Sequence, residues 1–495
     1  MLYVSTRGGC EPVTASKAIL EGIASDGGLY TPSEIPKISE ELLKKLCKAD
    51  YCGRAAEILS LFLTDYTREE LERSVKSAYA DFDHPEKAPL VKLDEGKYVL
   101  ELFHGPTCAF KDMALQLLPY LMTLAIRKNG GDDRICILVA TSGDTGKAAL
   151  EGFKDVEGTS IIVFYPRDGV SAVQRRQMTT QKGENVFVCA VKGNFDDAQT
   201  GVKTIFGDAD FASELAAKGV RLSSANSINW GRLVPQIVYY VSAYCDLVNS
   251  GEVEIGETVD VSVPTGNFGD ILAAFYAMRM GVPIGRLICA SNKNNVLTDF
   301  INTGVYDSNR PFFLTSSPSM DILISSNVER LLFELSGHDG EGTARYMKAL
   351  KSEGKYTLAP ELFASMKEIF AAGCADDDEV ITEIRHNKLE LGYLTDPHTA
   401  VASKVARELC GDPVCLIVST ASPYKFCGTV LKALTNEDQP DSVTLFEKLE
   451  TLTDTAAPKP LKDVVNAKER FNGVTEKSEL KSEVRRFIDS QTGGR

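Results

Sequence analysis

Residues 134–153 read RICILVATSGDTGKAALEGF. A short, continuous, β-branched run leads through a loop of glycines and hydroxyls into a helix-forming stretch. An apolar run without alternation is the pattern of a strand covered on both faces, as in a parallel sheet flanked by helices. Further short β-branched runs stand at 160–165 (SIIVFY), 185–191 (NVFVCAV), 259–263 (VDVSV), 286–290 (RLICA) and 414–419 (PVCLIVS), with longer helical patterns between. This alternation predicts an α/β fold, and its length predicts two α/β lobes with mostly parallel sheets and a cleft between them.

Working outward, residues 1–90 have a different texture and are expected to form an N-terminal domain. Thr14 is placed to cap a helix over 14–24, two more helices are expected near 39–48 and 53–63, and DFDHPEKAP (81–89) reads as a linker. A core over 91–440 follows, with the smaller lobe at roughly 130–250, and 441–495 is polar enough to read as a peripheral segment ending in a frayed tail.

The chain has 495 residues, enough for two or three domains. Its 69 acidic against 54 basic residues give a net charge of −15. That balance argues against a nucleic-acid surface and against docking to anionic membranes, while leaving room for an anionic small molecule in a local pocket. The longest apolar stretch, Leu117 to Ile126, is about half the ~20 residues a membrane span needs, and no signal peptide opens the chain. The 12 cysteines show no metal-ligand spacing. Cys136, Cys189, Cys289 and Cys415 lie inside strand-like runs and read as small buried residues. A reducing, cytoplasmic setting without a metal is expected.

Three strand-to-helix junctions carry small polar residues, where open α/β sheets bind ligands. In ATSGDTG (140–146) two glycines and three hydroxyls could cradle an anion, although Ala148 and Thr141 exclude a Walker-type phosphate loop. In PTGNFGD (264–270) Gly266 and Gly269 would let the backbone turn towards an anion at the start of an apolar, buried helix. STASP (419–423) offers hydroxyls. Each loop alone also reads as a capped helix start; three in one chain point to a site.

Residues 101–113 read ELFHGPTCAFKDM. Lys111 lies between Phe110 and a helix start, where desolvation and the positive helix end would depress its pKa, as a nucleophilic amine requires. The alternative is a lysine whose charge reaches water along an apolar stem.

HGPTCAFKD resembles the coenzyme-lysine segment of the threonine synthase family, whose pattern is H-G-P-T-x-A-F-K-D. TSGDTG and GNFGD resemble that family's substrate-side and coenzyme-phosphate loops. SSANSINWGR (223–232), SPSMDILISSNVER (317–330), GYLTDPHTA (392–400), STASPYKF (419–426) and the opening YVSTRG and DGGLYTP resemble further family segments, so the resemblance covers nearly the whole chain.

The resemblance implies a fold-type II pyridoxal-phosphate enzyme, related to the tryptophan synthase β chain, with an added N-terminal domain. It implies that Lys111 carries the coenzyme as a Schiff base and later moves protons. Gly266, Asn267, Phe268 and Gly269 would present N–H groups to the coenzyme phosphate, Asp270 would close that loop, and Thr420 would bond the pyridine nitrogen. Ser142, Asp144 and Thr145 would line the substrate side. Asp144 stands where cysteine synthase-like relatives carry an amide; an ionised carboxylate there would repel a substrate carboxylate unless it faced the coenzyme's ring oxygen or a cation.

The implied activity is a carbon–oxygen lyase acting on a phosphate ester. O-phospho-L-homoserine and water would become L-threonine and phosphate, the last step of threonine biosynthesis. A phospho-lyase releasing phosphate and 2-oxobutyrate is the alternative outcome of the same early steps. Asn226, Ser227, Asn229 and Arg232 are candidate donors to the substrate phosphate, with a surface ion pair the other reading of Arg232. His104 and His398 read as hydrogen-bonding structural residues. A monomer or a homodimer is expected, with a small molecule as partner.

Overall fold

The computed structural model describes residues 1–492 other than 132, 142, 168, 169, 412 and 441, and leaves out the side chains of 196 and 492. All six β-branched runs are strands, and they divide between two sheets. The larger sheet runs in the order Phe370–Cys374, Ile284–Ser291, Val259–Pro264, Cys415–Ser419, Lys97–Glu101, Leu90–Asp94. All its pairings are parallel except the last. Every residue of Val259–Pro264 and Cys415–Ser419 is buried, including the polar Asp260, whose carboxylate accepts from Arg286, and Ser262, whose hydroxyl donates to the Ala402 carbonyl. The smaller sheet is parallel throughout, in the order Val474–Thr475, Val186–Val191, Thr159–Pro166, Arg134–Ala140, Val220–Ser223.

Several boundaries differ from expectation. The smaller lobe does not extend to 250. The helix Trp230–Ser250 packs against Gly269–Met280 and Tyr51–Phe62 instead, and it is apolar around most of its circumference because neighbours cover it on all sides. The 81–89 stretch is not a free linker, since Phe82 and Ala88 are buried and the Asp83 carboxylate meets His104 Nδ1 at 2.8 Å.

The C-terminal segment is not peripheral. Val474–Thr475 adds a strand to the smaller sheet. The helix Leu480–Thr492 buries Leu480, Val484, Phe487 and Ile488 against that sheet's outer face. These four recur at helical spacing, and burying each contributes roughly 1.5–3 kcal/mol. Cys415 is buried as expected but bonded to Cys410 rather than free.

The N-terminal residues are woven into the core. The helix Ala15–Glu21 packs on Leu118–Lys128, and Arg7 and Thr6 both bond Glu329. Among the described residues no helix is long and apolar enough to cross a membrane.

Candidate active site

The lysine segment is held at the carboxyl end of the larger sheet. Phe110 N–H donates to the Thr420 carbonyl (2.8 Å) and Ser422 N–H to the Cys108 carbonyl (3.1 Å), so the segment lies along the residues that follow strand Cys415–Ser419. Inside the HGPT turn, the buried Asp112 carboxylate accepts from Thr107 N–H and from its hydroxyl, both at 2.8 Å. A Cβ on Gly105 would fall 2.5 Å from Asp112, which explains a glycine there. Lys111 Nζ lies 4.7 Å from the centre of the Phe110 ring.

Burial pushes the Lys111 pKa down to about 8. Asp144 and Asp270 oppose the shift, and the cations Lys425 and Arg232 add to it. The short helix beginning at Asp112 has four residues, so neighbouring charge rather than a long helix dipole assists burial. In coenzyme-free protein, capture of an aldehyde by Lys111 and borohydride should therefore rise with pH about a midpoint near 8. An ordinary lysine would give a midpoint near ~10.4.

The 264–270 loop has a structure the glycines alone did not announce. The residue in left-handed conformation is Phe268 (φ 62°), not Gly266 or Gly269. Its ring is buried and packs on Phe370 with centroids 5.7 Å apart, which holds a backbone state costing on the order of 1–3 kcal/mol. Among the described residues no protein group accepts from the backbone N–H groups of Gly266, Asn267, Phe268, Gly269 or Asp270. Five adjacent donors without protein partners at a helix start suit an anion such as a phosphate.

The loop is braced from outside: Ser325 Oγ donates to the Gly266 carbonyl (2.8 Å) and Asn327 to the Asn267 carbonyl. A Cβ on Gly266 would meet the Ser319 carbonyl oxygen at 2.8 Å, and His398 Nε2 holds the Ser319 N–H at 3.2 Å. Gly266→Ala should weaken coenzyme binding roughly five- to a hundredfold, the equivalent of ~1–3 kcal/mol of overpacking. Gly269→Ala, whose Cβ would first meet Asn327 at an ordinary 3.5 Å, should have a smaller effect. Equilibrium titration with the coenzyme measures both.

The remaining candidates divide. The hydroxyl of Thr420 has no protein partner among the described residues, beside the lysine segment. Thr145 is half-buried at the start of the helix Asp144–Phe153, and Ser142 lies outside the described residues. Asp270 Oδ1 takes the hydroxyls of Tyr239 (2.5 Å) and Tyr240 (2.6 Å), its Oδ2 is buried without a partner among the described residues, and burial raises its pKa to about 6. Asn229 is a helix cap whose oxygen accepts from Gly231 N–H and whose nitrogen bonds the Ile19 carbonyl, so its side chain is already committed. Asn226 is exposed and Ser227 half-buried.

Arg232 is not in a surface ion pair. It is 3% exposed, Nη1 donates to the Ala225 carbonyl, and Nε is buried without a partner. No carboxylate pairs with it among the described residues, and burial lowers its pKa to about 10. A guanidinium kept in this way suits an anionic ligand.

Asp144 faces a cation. Its Oδ1 lies 2.8 Å from Lys425 Nζ and accepts from Gln174 Nε2 at 2.9 Å. Burial alone would raise its pKa; Lys425 and Lys111 outweigh that and hold it well below the usual carboxylate range. Lys425 escaped the sequence reading. Within STASPYKF it looks like an ordinary helix-start lysine, and its burial depends on residues far away in the chain. His104 sits between Asp83 and Glu101, and His398 between Asp396 and Ser319, both as hydrogen-bonding residues. Among the described residues no cluster of His, Cys, Asp or Glu could hold a metal ion.

With this geometry in view, the comparisons are specific. The family described as "Pyridoxal-phosphate dependent enzyme" matches residues 82–420, "Threonine synthase N terminus" residues 2–79, and "Threonine synthase, C-terminal" residues 399–488. A buried amine on a braced turn, a backbone anion cradle and this match define the class, the fold-type II pyridoxal-phosphate enzymes. A crystal structure of pyridoxal-phosphate-bound threonine synthase from Brucella melitensis superposes with a TM-score of 0.89 at 40% identity, covering 98% of this chain and 99% of that one. Threonine synthase of Pseudomonas aeruginosa is 40% identical over 437 residues, 88% of this chain and 90% of that protein. Threonine synthase-like 1 of Homo sapiens is 43% identical over 432 residues, 85% of this chain but 58% of that longer protein. The chain belongs to the threonine synthase family.

Proposed function

We propose that the chain converts O-phospho-L-homoserine and water to L-threonine and phosphate with pyridoxal phosphate as coenzyme. One observation carries this reading. The cleft around Lys111 holds two separate anion-accepting elements, the free N–H groups of 266–270 and the unpaired guanidinium of Arg232. A coenzyme phosphate and a substrate phosphate need two such places.

The residues fit the coenzyme. Lys111 would hold its aldehyde carbon, the N–H groups of Gly266 to Asp270 its phosphate, and the Thr420 hydroxyl its ring nitrogen. When bound, pyridoxal phosphate supplies the electron sink that acidifies the Cα–H of an amino acid. The protein's part is positioning and proton transfer. Lys111 Nζ, with its pKa near 8, is suited to take a proton from Cα and then from Cβ, which lets phosphate leave Cγ; a proton then returns at Cγ, water adds at Cβ, and the last proton returns to Cα. Lys425 cannot replace it, because its ammonium is bound to Asp144 and to the Thr107 carbonyl. Arg232 would hold the phosphate, with Ser227 and Asn226 at the same segment, while the buried position of the site limits water to the step that needs it.

Rapid-mixing titration of the coenzyme's visible absorption, read before turnover, tests the reading. O-phospho-L-homoserine should bind at least a hundredfold more tightly than L-homoserine, on the order of the loss expected when a buried charged partner is missing. Equal affinity would contradict a substrate-phosphate subsite.

A further inference from the structure

Asp144 poses an electrostatic problem. It is a 4% exposed carboxylate at the start of the helix Asp144–Phe153, held ionised by Lys425 and Lys111, on the loop that the family resemblance puts on the substrate side. Two carboxylates sharing a low-dielectric cleft repel strongly. The loop would then select against the substrate class proposed above.

The structure places a counter-charge there. Lys425 is 1% exposed, deeper than almost any lysine in a folded protein. Its Nζ lies 2.8 Å from Asp144 Oδ1 and donates to the Thr107 carbonyl at 2.9 Å. Thr107 belongs to the turn that carries Lys111, and Lys425 follows strand Cys415–Ser419 of the larger sheet. Asp144 follows strand Arg134–Ala140 of the smaller one. The buried ion pair therefore joins loops of the two sheets.

The helix Ala172–Thr179 surrounds it with amides. Gln174 donates to Asp144, and Gln177 Nε2 donates to the same Thr107 carbonyl at 3.2 Å. A Cβ on Gly143 would come 2.4 Å from Gln174 Cδ, so the loop is packed tightly against this amide. The other charges acting on the cleft amine are Arg232 and Asp270. Breaking one side of such a buried pair leaves an uncompensated charge, whereas removing both sides restores neutrality.

We propose that Lys425 is a specificity-determining residue that cancels the Asp144 charge, so that a loop bearing a carboxylate accepts an amino acid whose own carboxylate is free. This rests on the substrate reading above. It acts through Asp144, and Lys425 is a positioning residue in that sense.

The test compares O-phospho-L-homoserine with its carboxamide, which keeps the phosphate and lacks the carboxylate. Affinities are measured by rapid-mixing titration of the coenzyme's visible absorption, read before turnover, on the coenzyme-loaded wild type, Lys425→Met, Asp144→Asn and the double variant. Retention of the coenzyme's visible absorption and of the unfolding midpoint reports folding. Lys425→Met should weaken binding of the acid on the order of a hundredfold and of the amide only a few-fold. Asp144→Asn in that background should recover most of the loss. Equal weakening of acid and amide, or a double variant as defective as Lys425→Met, would overturn the role of Lys425. If Lys425→Met fails to fold, acid and amide affinities of the double variant, which is neutral at this pair, decide: preserved preference for the acid supports the proposal, and lost preference overturns it. A wild type that binds neither compound would instead overturn the substrate reading and this proposal with it.

Discussion

Lys111→Ala should leave a folded protein without visible coenzyme absorption, without a borohydride-stable label, and with turnover lowered by about three to four orders of magnitude or more. The amine sits on a turn fixed by Asp112 and by the bonds to Thr420 and Cys108, so no neighbouring lysine can be moved into its place. The nearest candidate, Lys425, is held by Asp144 and the Thr107 carbonyl. The variant should not be less stable than the wild type. Burial lowers the Lys111 pKa to about 8, so the charged form is disfavoured in the folded state. At neutral pH both states are largely protonated, and the folded state bears the desolvation cost that alanine removes. A thermal melt beside the absorption spectrum separates the two effects. Loss of colour with an unchanged or raised midpoint is expected; retained colour would place the coenzyme elsewhere.

The second large effect is expected at Arg232. Its guanidinium is buried, its Nε has no partner, and no carboxylate balances it among the described residues. Holding such a cation costs stability unless a ligand repays it. Arg232→Met should therefore raise the unfolding midpoint of the ligand-free protein and raise KM for the phosphorylated substrate by about two to three orders of magnitude. Coenzyme affinity should change little, because the 266–270 cradle is intact. Arg232→Lys should recover only part of the loss, since an ammonium lacks the planar fork that meets two phosphate oxygens. A variant with lowered stability and unchanged KM would make Arg232 a structural residue.

Much of this site could be read from the sequence, and the exceptions have physical causes. The strand Cys415–Ser419 was plain because burial on both faces leaves an apolar run, and Val259–Pro264 because its valines recur although Asp260 and Ser262 are buried between them. Lys111 stood out because its turn is built locally: Gly105, Thr107 and Asp112 contact one another within a few residues. Lys425 did not, because its partners come from the opposite lobe and the lysine turn. Asn229 looked like a free donor until its amide proved to cap its own helix and bond Ile19. At the 264–270 loop the pattern suggested glycine freedom, whereas a buried aromatic, Phe268, holds the unusual backbone. The C-terminal helix hid its apolar stripe among charges that face solvent. The hairpin Leu90–Asp94 and Lys97–Glu101 carried a readable signal, apolar runs about the turn Glu95-Gly96, that the neighbouring linker composition obscured.

The central claim is the identity of the product, and one incubation tests it. The coenzyme-loaded protein is given O-phospho-L-homoserine in water carrying heavy oxygen, and the products are resolved by mass. The account predicts L-threonine and phosphate in equal amounts, with the heavy oxygen in the threonine hydroxyl. Phosphate accompanied by 2-oxobutyrate, or no release of phosphate, would contradict it.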